Sequence, residues 1–366
     1  MINVIDIATK FAVDGNPTSF EECKVGHINN TYIVDFDING HKDKFVLQRI
    51  NTYVFKKPDY VMSNIIGVTT FLKNRLIHSG EDAERGTLSF VSCRDNSEEY
   101  CYRDIEGGCW RMYHYIDNVI SYALAENTDL FEKAGFAFGN FQYLLSDYDA
   151  SSLFETIPNF HNTKLRFSRF LEVLKTASDD RKNAAADEIN FVLEREEQCS
   201  FIVNEISNGN IPLRVTHNDT KLNNILMDPI TNEGVCIIDL DTVMPGSALY
   251  DFGDAIRFGA SNALEDEKDL SKVFFRANMF EAFAKGYIRG TRGAMTEHEI
   301  ECLPLGAHII TFETGLRFLT DYLENDVYFK TAYSDHNLVR AKNQFKLVLD
   351  LETRMSEFNN IINKIR

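Results

Sequence analysis

The sequence predicts an α+β molecule of two lobes, with a small antiparallel sheet at the N-terminal end and a large, mainly helical C-terminal lobe. Three observations carry this expectation. Short β-rich runs dominate up to about residue 115, a single helical segment interrupts them, and helical spacing takes over after residue 125. The helical half is broken once, by a short island from Ile211 to Tyr250.

Taken in order, Tyr32, Val34, Phe36 and Ile38 alternate with Ile33, Asp35 and Asp37, as a half-buried strand requires. Asn39-Gly40 then supplies residues that tolerate positive φ, the mark of a tight hairpin turn. Phe45 to Ile50 is the returning strand. Pro58 and Asp59 open a helix through about Leu76, with Val61, Ile65, Val68 and Leu72 on one face. Strands are expected at about 87–93, 99–103 and 109–116, with Gly107-Gly108 as a turn. Beyond them, Ile189, Val192, Leu193, Val203 and Ile206 repeat at helical spacing. The lobe boundary falls between 1–115, read as the nucleotide-binding lobe, and 116–366, read as the catalytic and acceptor-binding lobe.

Composition limits the function. The chain has 366 residues and 44% hydrophobic content, enough for a sizeable core. Its 55 acidic residues against 38 Lys and Arg give a formal charge of -17, a field that repels nucleic acid. Binding of a polyphosphate would need that field reversed locally by Mg²⁺ and a few basic side chains. The seven cysteines lack any metal-ligand spacing and are expected as reduced, mostly buried thiols. The first fifteen residues lack a basic start and an unbroken apolar stretch, and no apolar run would span a bilayer. A cytoplasmic enzyme without a membrane partner is the expectation, with oligomeric state left open.

The island carries the chemistry. His217-Asn218-Asp219 is followed by Lys221 and Asn224, matching the kinase loop pattern H-x-D-x-K-x-x-N. Phosphoryl transfer requires a carboxylate to orient and deprotonate the attacking hydroxyl, and cations to neutralise phosphate oxygens. Asp219 is the candidate base, Lys221 a candidate phosphate contact and Asn224 a candidate Mg²⁺ ligand. Any polar loop contains such residues, so this motif alone carries limited weight. Fifteen residues beyond Asn224, however, the apolar run Val235-Cys236-Ile237-Ile238 ends in Asp239, where a second metal carboxylate is needed. Asp241 is read either as a ligand of a second Mg²⁺ or as a solvated acid. His217 is read as a brace for the loop.

These residues resemble the aminoglycoside phosphotransferase and choline kinase superfamily, which has a protein-kinase-like fold. The resemblance runs over nearly the whole chain and is densest at His217 to Asp228, Ile237 to Ser247, Asp251 to Ala260, Ala263 to Val273, Arg317 to Phe329 and His336 to Arg340. Longer stretches such as Leu264 to Leu270 resemble the branch that phosphorylates N-acetylhexosamines. The resemblance implies transfer from ATP, with Mg²⁺, to the anomeric 1-hydroxyl of N-acetylglucosamine or N-acetylgalactosamine. It also implies a phosphate-covering loop at Gly26, His27, Ile28, Asn29, Asn30 and Thr31, and an adenine-side hinge from Arg111 through Tyr113 to Tyr115. Asp251 is implied as the acid that braces the catalytic loop. Sugar contacts are implied at His27, Asn29, Asp219, Arg317 and Tyr328.

Two departures stand out. Gln48 occupies the third-strand position where protein kinases carry lysine, and the helix 58–76 has no central glutamate to pair with it. Phosphate neutralisation must then lean on Mg²⁺, Lys221 and Arg49, with Gln48 lining the nucleotide side. Two rivals stay open: a kinase of the same fold for choline, homoserine, a methylthio-sugar or an aminoglycoside, and an inactive kinase-like binding protein. From spacing alone, Arg317, Asp321 and Glu324 read as a solvated helix face with ordinary charge pairs.

Overall fold

The computed structural model describes residues 3–23 and 28–366. The N-terminal part holds a short helix α1 (Val4–Ala8) and strands β1 (Asn16–Cys23), β2 (Asn30–Ile38) and β3 (His41–Arg49), then helices α2 (Pro58–Ser79) and α3 (Ala83–Gly86). Strands β4 (Phe90–Val91), β5 (Tyr102–Arg103) and β6 (Cys109–His114) complete the sheet. Its order is β1-β2-β3-β6-β4, with β5 on β6, and every pairing is antiparallel. The expected hairpin is present: Asn39 and Gly40 have φ of 55° and 86°, and Ile38 pairs with His41. Helix α2 starts on Pro58 and stops at Gly80, whose φ of 73° ends the helix in the left-handed region.

Two features depart from the sequence reading. Strand β1 gives no signal in the sequence, because Ser19 through Glu22 are all exposed and the strand has no buried alternation to betray it. The second departure is at the cysteines. Cys101 and Cys109 flank the β5–β6 hairpin with Cα atoms 5.9 Å apart and form a disulfide, so the all-thiol expectation is corrected at this pair. Cys93, Cys199, Cys236 and Cys302 remain thiols. The pairing comes from cross-strand placement, which an eight-residue spacing does not advertise.

The C-terminal part packs helices around two buried clusters of side chains, and a third cluster joins it to α2 and the N-terminal sheet. Its helices are α4 (Thr128–Leu144), α5 (Thr163–Thr176), α6 (Asp179–Ala184), α7 (Ala186–Leu193), α8 (Phe201–Ser207), α9 (Ala248–Gly259), α10 (Ala277–Thr291), α11 (Glu297–Glu301), α12 (Leu303–Leu323) and α13 (His336–Ile365). Helices α4 and α10 touch backbone to backbone. A Cβ on Gly139 would lie 2.1 Å from the Tyr287 carbonyl oxygen, and one on Gly286 would lie 1.9 Å from that of Glu132. That closeness fixes the C-terminal end of α4, which carries Gln142 into the site below. No helix among the described residues is long and apolar enough to cross a membrane.

Between α8 and α9 lies the island. Strand β7 (Arg214–Thr216) pairs with β10 (Met244–Gly246), and β8 (Ile225–Met227) pairs with β9 (Gly234–Ile237), all antiparallel. The polar segment His217 to Asn224 is thus held at both ends by short two-stranded sheets.

Candidate active site

The island's backbone is held by one buried carboxylate. Asp251, 2% exposed at the start of α9, accepts from the His217 amide at 2.9 Å and the Asn218 amide at 2.7 Å. Gln142 of α4 donates to it as well, at 2.9 Å. Burial raises the Asp251 pKa, and the three donated hydrogen bonds oppose that shift. Thr220 donates its amide to Asp254 at 3.1 Å and its hydroxyl to the Asp251 carbonyl. These contacts hold Asn218 at a φ of 65°, a conformation that Asn and Asp reach more readily than most residues.

His217 is fully buried. Its Nε2 lies 2.9 Å from the Ile238 carbonyl and its Nδ1 accepts from the Asp219 amide at 3.2 Å, which puts the ring proton on Nε2. This is the bracing geometry expected of it. The ring ties the loop to the segment that leads from β9 to Asp239.

Asp219, Lys221 and Asn224 converge. The Lys221 ammonium is 2.6 Å from one Asp219 oxygen, and the Asn224 amide nitrogen donates to the other at 3.0 Å. Asn224 therefore has its side-chain carbonyl oxygen left to face a cation. Burial lowers the Lys221 pKa, but Asp219 and Asp254 outweigh it and the net shift is upward, so the lysine is cationic at neutral pH. Asp239, two residues beyond the end of β9, has φ 59° and ψ 56°, a left-handed conformation that turns the chain away from the strand direction. Its side chain is open to water on one side and otherwise hemmed in by protein. That enclosure first, then the carboxylates of Asp241 and Asp219, raise its pKa to about 6. Crowded carboxylates of this kind gain from a divalent cation, and the oxygens of Asn224 and Asp239 fit Mg²⁺, a hard ion that prefers oxygen donors. Among the described residues no cluster of three or more His, Cys, Asp or Glu side chains is placed to hold a metal, so nucleotide oxygens and water would complete the coordination.

The residues expected on the nucleotide side meet in an arrangement the sequence does not suggest. Arg111 on β6 and Gln48 on β3 stand in register. Arg111 donates twice to the Gln48 carbonyl oxygen, at 2.9 and 2.7 Å, and Gln48 donates to Thr31 at 3.1 Å. The guanidinium then forms an ion pair with Asp241, each side chain 3% exposed. Asn29 donates to the other Asp241 oxygen at 2.5 Å. Asp241 is thus not solvated, and both of its oxygens are held by protein donors. Arg111 points to Asp241 and does not lie free beside an adenine site. Burial opposes the Arg111 charge, but Asp241 holds its pKa above the usual value. Asn30 pairs with Arg49 at the start of β2, and Tyr113 lies against Phe90 with ring centroids 5.2 Å apart. Gly26 and His27 lie outside the described residues.

Arg317 and Tyr328 come together with Asp321 and with residues that sequence reasoning does not single out. They share a cavity of about 340 Å³ with Arg166, Thr320, Asp321 and Phe329. The Arg317 guanidinium sits 5.4, 5.9 and 5.5 Å from the ring centroids of Phe160, Tyr328 and Phe329. Arg166 stands close enough that burial, joined by the charge of Arg317, lowers its pKa to about 10. Asp219 is not among the described residues lining this cavity. Asp321 departs from the solvated-face reading. It is 3% exposed and accepts from the Tyr328 and Phe329 amides at 2.8 and 2.9 Å, which anchors the loop that carries Tyr328. Glu324, paired with Arg169, fits that reading. Arg166 carries no signal in the sequence; only the fold brings its Nε to 3.8 Å from the buried Glu313, which accepts from Thr163 and contacts His161.

Comparison with known proteins agrees with this architecture. A choline kinase from Cryptosporidium parvum superposes with a TM-score of 0.57 at 13% identity, covering 94% of this chain and 92% of that one. A microcompartment-associated aminopropanol kinase gives 0.57 at 13% identity, with 97% of each chain covered. The GDP complex of aminoglycoside 2'-phosphotransferase-IIIa gives 0.56 at 12% identity over 90% and 93%. At such identities the likeness is one of fold, the protein-kinase-like arrangement of a small antiparallel sheet and a larger helical lobe. Residues 88–298 match the phosphotransferase enzyme family (APH), a span that takes in the island and its brace. Since that match covers more than half of the sequence, this chain belongs to the phosphotransferase enzyme family.

Proposed function

We propose that the protein is an N-acetylhexosamine 1-kinase, transferring the γ-phosphoryl group of ATP to the anomeric hydroxyl of N-acetylglucosamine or N-acetylgalactosamine. Asp219 accepts the proton of the attacking hydroxyl. Lys221, kept cationic by Asp219 and Asp254, stabilises charge on the moving phosphoryl group. Mg²⁺, held through Asn224 and Asp239, supplies charge neutralisation at the phosphate oxygens when bound. The network of Asn29, Gln48, Arg111 and Asp241 fixes the sheet against the island, so that the nucleotide side is preorganised.

The observation that carries the acceptor reading is Arg317. Its guanidinium makes no hydrogen bond or ion pair among the described residues, yet it stands between three aromatic rings beside a second cation, Arg166. Such a pocket offers donors to hydroxyl and acetamide oxygens and repels an ammonium group. Choline and aminopropanol, the acceptors named for two of the structural neighbours, would meet the unpaired Arg317 charge there, while the lining acids Asp321 and Glu324 are engaged by the Tyr328 and Phe329 amides and by Arg169. A panel of N-acetylhexosamines, neutral hexoses, choline and an aminoglycoside with Mg-ATP tests the reading. Phosphorus NMR of the product should show the phosphate on the anomeric oxygen. Phosphorylation at another hydroxyl, or preference for a cationic acceptor, would remove this assignment while leaving the kinase chemistry intact.

A further inference from the structure

A second cavity, of about 330 Å³, opens beside the C-terminal end of α9 and is lined by Arg257, Ser261, Glu265, Arg276, Asn343 and Gln344, among others. Two of its buried polar atoms have no hydrogen-bond partner among the described residues. Gln344 is 1% exposed, donates its amide to Asn343 at 3.1 Å and has a side-chain oxygen, Oε1, with nothing to accept. Arg276 donates through Nη2 to the Gly259 carbonyl at 2.9 Å, but its Nε is buried and unpaired. Among the described residues no carboxylate pairs with the Arg276 guanidinium, and burial alone lowers its pKa. The other arginine in the cavity is in the opposite condition. Arg257 is neutralised by Asp254 at 3.0 Å and Glu265 at 2.8 Å.

Buried polar groups left unpaired are costly, and most native ones find a protein or water partner. The Gly259 contact gives Arg276 a structural part at the end of α9, but it leaves the buried Nε without an acceptor. An anionic group beside Arg276 and a hydroxyl donor beside Gln344 Oε1 would satisfy both. The volume lies at the lower end of ligand pockets, about the size for one monosaccharide.

We propose that this cavity is a second ligand site, distinct from the acceptor pocket around Arg317, which takes a small anionic polyol of the sugar-phosphate class. Arg276 holds the anion and Gln344 accepts from a hydroxyl. The proposal does not depend on the acceptor assigned above.

The test is isothermal titration of the full chain carrying Arg317→Ala and saturated with Mg-ADP, so that neither the acceptor pocket nor the nucleotide site offers a free anion receptor. The titrants are glucose 6-phosphate, inorganic phosphate and glucose. Glucose 6-phosphate should bind one per chain, more tightly than phosphate, and glucose should give no signal. Adding Arg276→Gln should weaken glucose 6-phosphate about tenfold or more, and Arg276→Lys should retain most of the affinity, as expected for a charge-assisted contact. Gln344→Leu should weaken glucose 6-phosphate and leave inorganic phosphate unchanged, and it decides the matter if Arg276→Gln does not fold. No binding of glucose 6-phosphate, or full affinity in the folded Arg276→Gln protein, overturns the proposal.

Discussion

The two sides of the candidate active site are built on opposite principles. On the nucleotide side the buried charges are closed on one another: Arg111 is held by Asp241 and Gln48, and Asp241 by Arg111 and Asn29. On the proposed acceptor side Arg317 has rings around it but no hydrogen-bond acceptor among the described residues, and Tyr328 is 63% exposed. A closed ion pair between distant segments acts on architecture, because removing one member strands the other in a poor dielectric. An open guanidinium acts on a ligand, because its donors are already oriented and lack only oxygen atoms to meet. Mutations on the two sides should therefore fail in different ways, one in stability and the other in acceptor kinetics.

The largest effect should come from neither side but from the carboxylate between them. Asp219→Asn is expected to keep the fold and the nucleotide affinity while lowering kcat by roughly 10² to 10⁴. A folded variant with near-normal turnover would remove Asp219 from the chemistry. Next, Arg111→Met should destabilise the protein by about 3 to 5 kcal/mol in denaturant titration, since Asp241 would be left buried without its cation. The double variant Arg111→Met with Asp241→Leu should recover much of that loss. If both variants are equally unstable, the pair is not the source of the effect.

A smaller and more selective change is expected at the open side. Arg317→Ala should lower kcat/KM for the sugar by roughly ten- to a hundredfold, the cost of removing the guanidinium proposed to hydrogen-bond the sugar, with the ATP KM within a few-fold of the parent. Equal effects on both substrates would merge the two sides that the comparison separates.

The smallest effect concerns pH. Asp239 titrates near 6 in the folded chain against an ordinary 3.8, so the folded protein holds this proton more tightly than the unfolded chain does. Its ionisation between those values lowers the stability of the metal-free protein as pH rises, and a bound cation compensates it. The Tm gain from Mg²⁺ should therefore be larger at about pH 8 than at about pH 5.5, where the proton competes for the site. A Mg²⁺ effect independent of pH would take Asp239 out of the metal site.

What can be read from sequence is what is encoded locally. Asn39-Gly40 needs only its own φ preferences to make a hairpin, and Asp219, Asn224 and Asp239 sit within one short island where spacing alone suggests convergence. The Arg111 and Asp241 pair is not legible, because its members are 130 residues apart and each has a plausible local role. Reading Asp241 as a metal ligand or a solvated acid leaves out the third possibility, a buried counter-ion. Asp321 is misread for a related reason. Helical spacing puts it beside Glu324, and only the fold turns it onto the backbone of the following loop. The Cys101 and Cys109 pairing likewise depends on strand register.

The central claim is that an open, cationic acceptor pocket serves a fixed phosphoryl-transfer centre. Its most direct test is the ratio of kcat/KM for N-acetylglucosamine to that for choline, measured with Mg-ATP on the purified chain, with Asp219→Asn as the blank. Strong preference for the neutral sugar, absent in the blank, is the expected result. A ratio near one, or in favour of choline, would contradict the account.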